Sequence, residues 1–484
     1  MNERNASVVP FRWVLLVFLA VAGPATAQND FLVPPTLLLP NYDRVYPGLI
    51  EALEGGAFVA RARNAPALFY NPAGIATTER TVLNASAQGY QLTTLGGSGF
   101  DQSSPVSSFE TVPSFLGLVL GREVIDWEYV RLGFAVAQPV HWDQSAVAGS
   151  APAAGQRVSY AVHSSFNTLV PTFSIGWAAA ANFRAGGSIE FPYTTINDTG
   201  KLSGEITTAT SSQATLRTLS AGGSSLQVRA VAGIQWDIAS WMSLGAMYRT
   251  PGLKIKDGGS FLYEGLTNLN VGTRHVFFQD PAAEFEYRLP MEASLGAAFQ
   301  FGPFGFEIDV RWHDGTHRYT LFTSQQTARV VDTTSGSVVT SDLAFPGVFY
   351  RARQVWNGSL GLHLDLSRHF SISAGSYLDY SPADPETAVF RRVDMIGFRA
   401  GVAFVIGKLS ASVGAGWEHG TGNDDLFPTG VPIPGEAATI TLDTFSLLFS
   451  ISLSAGFARA STVLHDDTVL EIDHADLPLD TRDE

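Results

Sequence analysis

From Phe304 to His313 the chain reads FGFEIDVRWH. Phe304, Phe306, Ile308, Val310 and Trp312 share one parity, and Gly305, Glu307, Asp309, Arg311 and His313 share the other. Successive side chains of a strand point to opposite faces. The run therefore predicts a strand with one wholly apolar face and one face carrying three formal charges. A sheet in water hides its apolar face. A barrel in lipid turns that face outward and keeps polar residues in its lumen. The same pattern returns in three other runs. Leu289 to Phe299 alternate with Arg288, Glu292, Ser294 and Gly296. Leu409 to Trp417 alternate with small residues, and Phe445 to Phe457 alternate with serines.

Extended along the chain, this reading predicts fourteen strands, near 79–92, 114–121, 130–142, 166–180, 182–195, 225–238, 241–250, 287–301, 303–319, 351–367, 369–380, 393–407, 408–419 and 443–457. An even number suits a bacterial barrel. The expected fold is all-β: a transmembrane antiparallel β-barrel over 79–457. Turns are short near Ala181, Ala239, Gly302, Ser367 and Gly407. Connections are long at 93–113, 143–165, 196–224, 251–286, 320–350 and 420–442. Outer-membrane barrels separate short periplasmic turns from long extracellular loops in this way, which places both termini in the periplasm. A soluble all-β protein, the competing reading, has no reason to sort loops by side.

Three segments fall outside the barrel pattern. Residues 1–27 carry Arg4 and Arg12, an apolar run from Trp13 to Ala22 and the small-residue site Ala25-Thr26-Ala27, and read as a cleaved export signal. Residues 28–78 are too apolar for a solvated linker and read as an N-terminal hatch folded into the barrel mouth. Residues 458–484 hold eight acidic residues and two arginines, a composition suited to a solvated periplasmic tail that a periplasmic partner could engage.

Composition narrows the function classes. A net charge of −15 removes the basic footprint of a nucleic-acid binder. Absence of cysteine removes disulfides, thiol catalysis and thiolate metal sites. No nucleotide loop is visible, and no cofactor is expected. His313, Asp314 and His317 form the nearest thing to a metal cluster, but they straddle a strand end without ligand spacing, so no metal site is assigned. A serine triad assembled in space stays open at this level. The charges Arg288, Glu292, Glu307, Asp309, Arg311 and Arg399 are expected in the lumen. There they either pair with one another and with the plug or meet a substrate carboxylate.

The most distinctive string is Ala67 to Gly74, ALFYNPAG. Asn-Pro favours a turn, because proline fixes its own φ and biases Asn71 away from the helical region. Following a signal segment and preceding fourteen strands, Asn71, Pro72, Ala73 and Gly74 resemble the hatch motif of the FadL-type outer-membrane transporters of long-chain fatty acids and aromatic hydrocarbons. The segments at 233–251, 289–300 and 397–420 are similar to that family as well.

The resemblance implies a plugged fourteen-stranded barrel that takes up an apolar small molecule passively. Extracellular loops capture the molecule, an internal pocket binds it, and hatch movement releases it sideways at a kink in the third strand. On this sequence that kink is Pro139, which lacks the ladder N–H; a proline merely ending a strand is the competing reading. The capture segment would be 251–286, with Phe261, Leu262, Tyr263, Leu266, Phe277 and Phe278. The implied partners are the apolar substrate and the surrounding outer-membrane lipid and lipopolysaccharide, with the protein a monomer and not an enzyme. A structural or secretion-associated barrel and a general porin are the alternatives.

Overall fold

The computed structural model describes residues 38–43, 45–97, 112–150, 155–208, 210–384, 390–423 and 439–454. The predicted export signal and the acidic tail lie outside them. In chain order the strands are β1 Val82–Gly97, β2 Val112–Leu120, β3 Val130–Ser150, β4 Gln156–Ala180, β5 Phe183–Glu190, β6 Tyr193–Thr207, β7 Ser212–Ala239, β8 Met242–Arg249, β9 Leu253–Leu269, β10 Gly272–Phe285, β11 Glu292–Phe301, β12 Phe304–His313, β13 Tyr319–Thr323, β14 Thr327–Asp332, β15 Val339–Ala344, β16 Val348–Tyr350, β17 Val355–Ser367, β18 Phe370–Asp379, β19 Asp394–Ile406, β20 Leu409–Asn423 and β21 Thr439–Ser454.

All the pairings are antiparallel, and β1 bonds to both β2 and β21, which closes the sheet. Three walls of the barrel are each built from two consecutive strands: β5 with β6, β8 with β9, and β10 with β11. Counted this way the barrel has fourteen walls. The strands β13 to β16 form hairpins between β12 and β17 and pair onto β10.

The alternation behaves as a bilayer requires. On β12, Glu307 is 0% exposed while its neighbour Ile308 is 49% exposed. Phe173, Ile175 and Trp177 on β4, and Phe445, Phe449 and Ile451 on β21, also face outward and exposed. Polar residues of the same strands are inside and buried, as the lumen of a membrane barrel allows.

One feature departs from the expected pattern. The segments 143–165, 196–224, 251–286 and 320–350 were expected as loops, but most of their length is strand. The barrel wall continues through β3–β4, β6–β7, β9–β10 and β14–β15 into long hairpins. Stretches such as NDTGKLSGEIT have polar residues on both faces, so a wall that has left the bilayer loses its apolar signal.

The junction between the two parts is marked by prolines. Pro192, Pro251 and Pro290 sit in the gaps between β5 and β6, β8 and β9, and β10 and β11, and Pro139 sits at a register slip in β3 between Ala137 and Val140. Each removes a ladder donor, and the sheet bends or breaks there.

Candidate functional site

The barrel encloses two levels of different chemistry. The lower one is filled by residues 45–78, which run as turns, the short helix α1 Ala67–Tyr70 and a 3-10 turn Pro72–Thr77. This segment is bonded to walls all around the barrel. Gly48 N–H donates to Ser86 Oγ of β1 at 3.1 Å. Ser412 of β20 donates to the Leu49 carbonyl at 2.8 Å, and Ser373 of β18 donates to Glu54 Oε1 at 3.0 Å. It is a plug.

Asn71 is fully buried and acts as its central tie. Its Nδ2 donates to the carbonyls of Val59 at 2.8 Å, Ile234 at 3.0 Å and Ala246 at 3.3 Å, while its Oδ1 accepts from Ala73 N–H at 3.2 Å. One side chain thus caps the following turn and joins plug to β7 and β8. Pro72 begins the 3-10 turn, where a missing N–H costs nothing. Gly74 is needed for space: a Cβ there would overlap the Ala62 carbonyl. The walls make room in the same way. A Cβ on Gly186 would strike the backbone of Pro72, and one on Gly245 would strike that of Val59.

Charges fasten the plug. On β12, Asp309 Oδ2 accepts from the N–H groups of Phe58 at 2.8 Å and Val59 at 3.1 Å, and Glu307 accepts from Ala60 N–H at 2.6 Å and Arg61 Nε at 2.8 Å. Arg61 also pairs with Glu54. Arg311 bonds Asp43 at 2.9 Å and the Gly56 carbonyl at 2.6 Å. Glu292 accepts from Arg249 at 2.6 Å, and Arg249 in turn donates to the Phe69 carbonyl. Arg399 meets Glu418 at 3.0 Å beside Tyr377. Five of the six charges singled out in the sequence are therefore buried in ion-paired contacts or bonded to the plug. The sixth, Arg288, is exposed on the segment between β10 and β11, bonded to Glu286 and lying over the Tyr319 ring.

His313 sits between Asp43 and Glu292, at 3.5 and 4.0 Å, with its ring 4.6 Å from Tyr42. Its neighbours are the segment just before the plug and the adjacent wall strand β11. Ser145 Oγ lies 2.9 Å from His163 Nδ1, and Asp143 Oδ1 lies 3.6 Å from that same nitrogen. A hydrolytic triad needs serine and acid on different ring nitrogens, so this outward-facing cluster is not one.

The upper level is apolar. Of the six residues proposed for capture, Phe261, Tyr263 and Phe278 point inward and are at most 2% exposed, whereas Leu266 and Phe277 face out and Leu262 is half-buried. Phe261 and Phe278 meet Phe345, the latter stacked at 4.6 Å. A second group joins Phe166, Tyr287, Tyr350 and Phe390, with Tyr350 and Phe390 at 4.6 Å. These positions are scattered over the chain, and the sequence reading missed the second group. Tyr287 and Phe390 lie between strands, so strand parity gives no local signal for the group as a whole.

The N-terminal segment reaches into this level too. Leu38 and Leu39 belong to the same apolar cluster, and the Leu38 carbonyl accepts from Arg391 N–H at 2.8 Å. Lower down, Val45 N–H donates to the Pro139 carbonyl at 3.0 Å. Pairing of β2 with β3 stops at Phe115 and Ala137, and among the described residues no strand flanks that side of β3 beyond it.

The sequence matches no family model and no curated protein. Solved structures with the same fold include the toluene transporter TodX of Pseudomonas putida (13% identity, 85% of this chain and 99% of that one, TM-score 0.57). The toluene transporter TbuX of Ralstonia pickettii is similar at 13% identity over 84% and 98%, TM-score 0.51. A Pseudomonas aeruginosa FadL homologue is similar at 13% over 87% and 100%, TM-score 0.51. The chain has the fold of FadL-type barrels.

Proposed function

We propose that this protein is a passive channel for apolar small molecules across a bacterial outer membrane, monomeric, with both termini on the periplasmic side. The observation that carries the reading is an aromatic-lined upper lumen sealed from below by a bonded plug. Moving an apolar molecule there from water releases about 25 cal/mol for each Å² buried. The likeness to transporters of toluene supports alkyl aromatics as one substrate class, and the likeness to the FadL homologue supports the same general role.

In this reading a molecule enters between the long hairpins and binds among the inward aromatics. Displacement of the Leu38–Leu39 segment loosens the Val45–Pro139 contact, and the molecule leaves sideways where β2 and β3 part. Gradient and binding supply the driving force. A general porin would need an open lumen, which the plug contacts oppose. Uptake of labelled toluene, a labelled long-chain fatty acid and a labelled sugar by cells with and without the protein tests this. Faster entry of an apolar probe, with sugar entry unchanged, is expected. Equal entry of both apolar probes with and without the protein would overturn the reading.

A further inference from the structure

Among the described residues the upper lumen holds a polar group that the transport reading leaves unexplained. Tyr350 is 1% exposed, and among the described residues its hydroxyl has no hydrogen-bond partner. It sits among rings: Phe390 at 4.6 Å, Tyr319 at 5.9 Å edge-on and Tyr287 at 6.5 Å stacked. A buried hydroxyl is normally paired, and phenylalanine would fill the same volume without that penalty. Two other phenols of the same cluster are differently placed: the Tyr319 hydroxyl accepts from Arg288 N–H, and that of Tyr263 accepts from Arg217.

We infer that Tyr350 is a specificity residue, and that the favoured substrate is an uncharged aromatic carrying one oxygen, such as an alkylphenol. This rests on the transport reading and narrows its substrate class. The surrounding rings suit a flat apolar body. The hydroxyl, able to donate and accept, suits a single neutral oxygen. A carboxylate fits poorly, because rings offer an ionised group nothing in exchange for its lost hydration. The Leu38 carbonyl, bonded one residue along from Phe390, marks the chain that a bound molecule would displace.

The test is equilibrium binding of labelled para-ethylphenol and labelled ethylbenzene to the full-length protein in lipid nanodiscs, native and Tyr350→Phe. A merely apolar lumen prefers ethylbenzene, since the phenol must shed water from its hydroxyl. The expected result is a preference for the phenol of about tenfold or more in the native protein, the worth of one well-made hydrogen bond. That preference, the ratio of the two affinities measured in the same variant, should collapse in Tyr350→Phe. The substitution removes only an unpaired hydroxyl, so the variant should fold at least as stably. Equal affinities in the native protein, or a preference that survives in Tyr350→Phe, would overturn the inference and leave the transport reading standing. Binding of neither probe would overturn both.

Discussion

The two levels of the lumen are enclosed by one continuous sheet yet are built by opposite rules. In the lower level, each wall offers a small residue or a charge, and the plug answers with backbone N–H groups, Arg61 and Asn71. In the upper level the walls offer mainly rings in non-directional contact, with fewer directional ties such as Arg217 to Tyr263. Hydrogen bonds and ion pairs fix one geometry, whereas apolar contacts tolerate exchange of one greasy occupant for another. On the proposed reading, the first level seals and the second binds. The N-terminal segment touches both, with Leu38 above and Asp43 below, so on that reading it is the part that would link occupancy of the one to the state of the other.

This contrast predicts unequal responses to substitution. The largest effect is expected at Arg61. Arg61→Met strands the buried carboxylates of Glu54 and Glu307, at a cost of about 3–5 kcal/mol. Denaturant unfolding should shift accordingly, and ion conductance in planar bilayers should rise as the plug loosens. Unchanged conductance would show that the charges do not hold the seal. Next is Gly245→Leu, whose side chain meets the Val59 backbone and should cost about 1–3 kcal/mol by overpacking. It too should raise conductance, while binding above is spared. The smallest is Phe278→Leu in the upper level, expected to cost less than about 1.5 kcal/mol and to leave conductance at the native value. A leak in that variant would mean the two levels are not separable.

Most of the barrel was legible because a bilayer imposes a period of two with its sign reversed, and Glu307, Ile308 and Asp309 show it within three residues. Legibility failed above the proline junctions, where the wall leaves lipid and NDTGKLSGEIT reads as loop although it is β6. The hatch motif was legible as a turn, but its logic was not: Asn71 bonds Ile234 and Ala246, which lie far away in sequence. Gly74 is required for space against Ala62, a contact no local string announces. The lumen charges were visible as charges on an inward parity. Arg288 broke that parity because the ladder is interrupted from 286 to 291. Phe166, Tyr350 and Phe390 carry no local mark at all, since only the closed sheet brings them together.

The most direct test is saturable binding of a labelled alkylbenzene to purified protein in nanodiscs, compared across native, Phe278→Arg and Arg61→Met. An apolar upper site predicts that Phe278→Arg weakens binding by about tenfold or more, as loss of a buried ring implies, with the lumen still closed to ions. Arg61→Met should keep its affinity while leaking. Undiminished binding in Phe278→Arg, or loss confined to Arg61→Met, would contradict the division of the lumen into a binding level above and a seal below.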